Sequence, residues 1–195
     1  MNKVKFGLSN VHIAPLTFDG TSYTYGDIIQ VPGAVSLSLE AAGDTNDFFA
    51  DNTIYFSSTA NQGYEGDLEI AMIIDAIREK IFGETKDLNG AFIENSNDEF
   101  KPFAFGFQIE GDEKARRFWY YNCTMSRPSN NASTTENTKE PATDTLSIKA
   151  MPRLTDNAVR AFLEPTTQNK SVYDAFFESV YEKASSGYLD SYHCD

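Results

Sequence analysis

A chain of 195 residues with 41% hydrophobic content, 15 Phe and 10 Tyr is long enough to bury one sizeable core without help from metals or disulfides. Its 29 acidic residues against 16 basic ones leave a formal net charge of −13. That balance speaks against tight binding to nucleic-acid phosphates or anionic membranes, both of which need clustered Lys and Arg. It leaves room for a protein that surrounds DNA without gripping it, because an acidic wall repels phosphate.

The opening segment, MNKVKFGLSN, lacks the apolar core and small-residue cleavage site of a secretory signal, and no run of about 18 apolar residues follows it. The chain is therefore expected to be soluble, off the membrane and made in the cytoplasm. Strict alternation then marks a series of half-buried strands. In Val35-Ser36-Leu37-Ser38-Leu39-Glu40 the odd positions are apolar. In Gly66-Asp67-Leu68-Glu69-Ile70-Ala71-Met72 the even positions are apolar, and Asp67 and Glu69 point to the wet face. Between these two strands, residues 41–52 (AAGDTNDFFADN) read as a long polar loop around a Phe48-Phe49 anchor. Asp75 to Phe82, stopped by Gly83, predicts a short helix with Ile77 and Ile81 on one face. A second long connection runs from Gly83 to Phe100.

Phe103, Phe105, Phe107 and Ile109 share a face of the next strand, which a Gly111-Asp112 turn joins to the longest candidate, Ala115 to Arg127. There Trp119 and Tyr121 fall on one face and Phe118 and Tyr120 on the other, so both sides should be covered, one by the core and the other by a neighbouring subunit. At about 3.3 Å per residue that element would run roughly 40 Å. Residues 128–144 (PSNNASTTENTKEPATD) form a third long polar loop, and Thr145 to Ala150 alternates as a natural partner for the aromatic strand. Ser171 to Ala184 reads as a C-terminal helix with Val172, Phe176 and Val180 as its apolar stripe. Residues 185–195 have no periodicity and read as a flexible tail. The fold class expected is β-rich α+β: a single domain over 1–184 whose loops at about 41–52, 83–100 and 128–144 are available for contacts between subunits.

A search for chemistry yields little. His12 and His193 are the only histidines, and no nucleophile elbow accompanies either, so His12 reads as a strand residue. Too few Cys and His occur for a zinc site, and Asp44 to Phe49 breaks the calcium-loop pattern at its fifth and sixth places. No phosphate-binding glycine loop occurs, and no cofactor, metal or catalytic residue is expected. Cys123, inside an aromatic run, reads as a buried thiol, and Cys194 as part of the frayed terminus, in preference to a disulfide pair. The glycosylation patterns at Asn122 and Asn131 read as chance matches. Asp67 and Glu69, about 7 Å apart on one strand face, have the spacing of a glycosidase pair, yet such pairs are common on solvated strand faces.

The order of segments adds what no single motif supplies. NKVKFGLSNVHIAPL leads to IQVPGAVSLSLEAAGDTNDFFADNTIYFSSTANQGYEGDLEIAMI, later KPFAFGFQIEGDEKARRFWYYNCTMSRPS, and finally SVYDAFFESVYEK. Over residues 2 to 183 this resembles the major tail protein family of long-tailed, non-contractile bacteriophages (siphoviruses), whose subunits build the tail tube. The most specific pieces are PGAVSLSLEA, GYEGDLEIA and RRFWYYNCTMSRPS. The resemblance implies a two-sheet, barrel-like β-sandwich with a flanking helix, forming hexameric rings that stack into a hollow virion tail through which DNA is ejected. It implies as partners other copies of the chain, the tape measure, tail terminator and baseplate or tail-tip proteins, with DNA passing unbound by sequence. Glu40, Asp67 and Glu69, on the polar faces of the clearest strands, become candidate lumen-lining residues. Arg116, Arg117 and Lys149 become candidates for pairing with acids of neighbouring subunits, and the 41–52 and 128–144 loops for bridging rings. A decoration, receptor-binding or head–tail joining module is the alternative, and a carboxylate hydrolase a remoter one.

Overall fold

The computed structural model describes residues 3–111, 113–129 and 142–184, with backbone alone at 45, 46 and 59. The 185–195 tail, with Cys194 and His193, and most of the 128–144 loop lie outside the described residues. Alternation becomes strand at every stretch where it was read. The strands are Lys5–Phe18 (β1), Tyr23–Tyr25 (β2), Ile29–Val31 (β3), Ala34–Ala42 (β4), Thr45–Ala50 (β5), Thr53–Thr59 (β6), Gly63–Ile70 (β7), Thr85–Lys86 (β8), Phe92–Ile93 (β9), Phe103–Gly111 (β10), Arg116–Met125 (β11), Asp144–Met151 (β12) and Arg160–Leu163 (β13). Nine of them form one antiparallel sheet in the order β2-β1-β10-β11-β12-β7-β4, with β3 added on β1 and β13 on β11. The most aromatic strands, β10 and β11, sit in the middle, where both faces can be covered.

Four register shifts bend this sheet, as an extra residue in one strand does. In β1 the ladder shifts between Lys5 and Leu8 and again between Ser9 and His12, where Asn10 takes φ 49°. Leu8 and then Val11 and Ile13 thereby keep the same inward face. In β11 Tyr120 stands opposite Phe105 but Cys123 opposite Phe103, so Phe118, Tyr120, Cys123 and Met125 all point into one core. A fourth shift falls between Ala34 and Ser36 in β4. The bent sheet brings its distant strands around a shared interior: Val11 and Ile13 of β1, the three Phe of β10, Leu68 and Ile70 of β7, and Leu146 and Ile148 of β12. Leu37 and Leu39 of β4 pack on it from the far edge. Among the described residues no ladder joins β4 to β1, so the sheet curls without closing.

The short helix forms where its spacing placed it. Asp75–Ile77 (α1) runs into a wider turn over Arg78–Phe82, and Gly83 ends it at φ 79° with its N–H bonded to the Arg78 carbonyl. Ile77 and Ile81 are both fully buried beneath it. The stretch 83–100, expected as loop, instead holds the β8–β9 ladder, whose turn is pinned by Asp87 Oδ1 accepting the N–H groups of Asn89 and Ala91.

The opposite face of β11 corrects two expectations. Trp119 and Tyr121 are covered by this chain's own C-terminal segment, not by a neighbour: they share a second core with Ala14, Ala104, Phe176 and Val180. The expected helix from 171 to 184 is only Lys170–Asp174 (α2). The segment's carbonyls also serve the sheet: Phe176 O accepts the Trp119 indole N–H at 2.7 Å, and Tyr173 O accepts Arg117 Nη1. Three-residue turns replace the rest of the helix, with Glu178 N–H bonded to Ala175 O at 2.9 Å. The stripe shifts accordingly: Tyr173, Phe176 and Val180 are buried and Val172 is exposed. Arg153 anchors the end of the segment, donating to Glu182 and Asp156 while its guanidinium lies 4.3 Å from the centre of the Tyr121 ring.

Two glycines are there for close approach. A Cβ on Gly106 would lie 2.8 Å from the Trp119 ring, and one on Gly66 would lie 1.9 Å from the Ser38 carbonyl oxygen. The first lets the indole lie flat on β10, and the second lets β7 pair tightly with β4.

Candidate functional site

Register places the candidate acids together. Across β4 and β7, Ser36 faces Glu69, Ser38 faces Asp67 and Glu40 faces Glu65. Across β7 and β12, Glu69 faces Thr145, Asp67 faces Ser147 and Glu65 faces Lys149. Leu37, Leu39, Leu68, Leu146 and Ile148 alternate with these residues and fill the core. Glu40, Asp67 and Glu69 therefore do share the outer face of one three-stranded patch, and Glu65 joins them as a fourth carboxylate. Hydroxyls hold two of the acids in place. Ser147 Oγ donates to Asp67 at 2.6 Å, while Ser36 and Thr143 donate to the two oxygens of Glu69 at 2.9 and 2.6 Å.

Those hydrogen bonds, from Thr143 first and Ser36 second, hold the Glu69 carboxyl below the usual range. A general acid needs the opposite shift, so Glu69 is not poised to donate a proton. With a folded value below its unfolded one, Glu69 contributes stability that is full above about pH 4.3 and is lost as pH falls through the folded value. Carboxyl-carbon NMR titration is expected to give Glu69 a midpoint below that of an ordinary glutamate. The double variant S36A/T143A should move it back up, and an unchanged midpoint would break the assignment.

The signal for this face was a long gap in basic residues. Between Lys5 and Arg78 there is no Lys or Arg, while ten of the 29 acids fall there. Glu40 and Glu65, directly opposite each other, are a like-charge pair that costs the isolated sheet stability.

The second feature is the segment from 41 to 59, and it corrects the expected 41–52 loop. Ala41 and Ala42 end β4, and β5 and β6 form a separate two-stranded hairpin. Its turn is Asp51-Asn52, both at positive φ (53° and 60°), the conformation that a two-residue hairpin turn requires and that Asn and Asp tolerate. Phe48 pairs with Phe56, and Phe49 with Ile54. Phe48, Phe49, Ile54, Tyr55 and Phe56 are all 53–75% exposed. An isolated two-stranded hairpin is marginal in water, and an apolar patch of this kind marks a surface that meets another.

The other candidates resolve within the chain. Within the chain Arg116 pairs with Glu164, and Arg117 donates to Gln108 Oε1 at 2.9 Å and lies over the Tyr173 ring. Lys149 stands across from Glu65 on the acidic face. His12 packs on the Phe177 ring at 4.5 Å, with Nδ1 2.7 Å from the Asn10 carbonyl oxygen; desolvation by that packing lowers its pKa. Cys123 is fully buried and burial pushes its thiol up. Among the described residues no cluster of His, Cys, Asp or Glu could hold a metal ion, and no helix is long and apolar enough to cross a membrane. No protein-family model matches the chain, and no curated protein matches it.

Proposed function

We propose that this chain is a self-assembling structural subunit, the tube-forming major tail protein of a long-tailed, non-contractile phage. The observation that carries the reading is the projecting β5–β6 hairpin, which holds five large apolar side chains in water on a monomer whose own two cores are complete without them. The segment order set out above supplies the family, and the acidic sheet face supports the role. In this reading the curled sheet is the two-layer, barrel-like fold of a tube subunit, and the β4-β7-β12 layer is its inner wall. Glu40, Glu65, Asp67 and Glu69 then face the lumen, where their field keeps passing phosphates in solution. Rings are six-fold and stack through the hairpin and the neighbouring loops. No covalent step is needed: delivery of DNA follows from the shape and charge of the conduit.

Sedimentation of the purified chain over a wide concentration range tests this. Growth without limit, past the mass of a single ring, is expected. A plateau at one ring would favour a head–tail joining subunit, and a monomer at every concentration would overturn self-assembly.

A further inference from the structure

The curled sheet leaves an open cleft of about 620 Å³ where β1 and β4 approach without pairing. Phe107, Phe118 and Tyr120 line its floor, and on its rim Phe6, Val35 and Phe162 are 62%, 54% and 53% exposed. Its charge is opposite to that of the chain. The lining includes Lys5, Arg116 and Arg160 and no carboxylate, in a protein of net charge −13. Glu164 neutralises Arg116. Among the described residues Arg160 has the Tyr120 hydroxyl at 3.1 Å and the faces of aromatic rings but no carboxylate, and Lys5 has no acidic partner.

The hairpin has the complementary composition. Residues 44–59 include Asp44, Asp47 and Asp51 and no Lys or Arg, beside the five exposed apolar side chains. We propose that the cleft of one copy receives the β5–β6 hairpin of a second copy, apolar side chains against the Phe107 and Phe118 floor and acids against Lys5 and Arg160. This rests on the self-assembly reading and names its contact. The chain's own hairpin is not the occupant, since its aromatics and the cleft rim are both exposed in the same molecule. Because hairpin and cleft are different surfaces, the contact is heterologous and repeats from copy to copy, producing rings or filaments in place of a closed dimer.

The test is a charge exchange in the full chain, read by sedimentation with circular dichroism to confirm folding. Asp51→Arg and Arg160→Glu alone should each raise the concentration for half-assembly by about tenfold or more, and the double variant should recover most of the loss. Lys5→Glu is a second cleft variant and should also weaken assembly. If the wild type assembles but these variants assemble as well as it does, or if the double variant is no better than either single one, the contact is wrong while self-assembly stands. If the wild type stays monomeric, the functional reading itself fails and takes this contact with it.

Discussion

Replacing Phe48 and Phe56 together by serine is expected to give a folded monomer at concentrations where the wild-type chain assembles. The two rings stand opposite each other on the hairpin, each 61% exposed, and neither contributes to the two cores. Burying a Phe contributes about 1.5–3 kcal/mol. Losing both at each contact removes about 3–6 kcal/mol, or roughly two to four orders of magnitude in the association constant. The monomer should hardly register the change, since exposed substitutions stay within about 0.5 kcal/mol. Sedimentation and thermal melting of the same preparations separate the two effects. A variant that still assembles would remove the hairpin from the interface, and one that melts far below the wild type would show that the hairpin is part of the fold.

Trp119→Ala is expected to do the reverse, damaging the monomer. Trp119 is fully buried, lies against Gly106, donates its indole N–H to Phe176 and meets Phe177 edge-on at 5.8 Å. Truncating a buried Trp costs about 3–5 kcal/mol. In a domain of this size that lowers the melting temperature by roughly 10 °C. Hydrogen exchange should rise first in residues 170–183, because the indole packs on them and bonds the Phe176 carbonyl at their centre. Trp119→Phe, which keeps most of the packing and loses the hydrogen bond, should cost about 1 kcal/mol. Equal protection of that segment in wild type and Trp119→Ala would show that Arg117 and Arg153 hold it without the indole.

The strands were legible because a sheet with one wet face writes its pattern locally: Leu37 and Leu39, Leu68 and Ile70, and Leu146 and Ile148 alternate with polar residues within a few positions of each other. The double coverage of β11 was legible from aromatics at four consecutive positions. What covers its second face was not, because Trp119 and Phe176 are 57 residues apart. The helical stripe read at 171–184 became a short α2 followed by three-residue turns, in which the carbonyls of Tyr173 and Phe176 meet Arg117 and Trp119 of a strand far away in sequence. The bulges at Asn10 and in β11 left only weak marks, since a single extra residue resembles ordinary noise in alternation.

The candidate site was legible by halves. Glu40, Asp67 and Glu69 were assigned to wet faces by alternation alone, and register showed that those faces are one face. Glu65 was missed because Gly66 hides the alternation on its side. The hairpin was missed because its turn is Asp51-Asn52 and not an Asn-Gly or Asp-Gly pair, and because five apolar residues among acids look like an anchor in a loop until their backbone is seen paired.

Negative-stain electron microscopy of the purified full chain tests the central claim most directly. The proposed function predicts long hollow cylinders of stacked rings with an open axial channel. Isolated particles of monomer size, or single rings that never stack at any concentration, would contradict it.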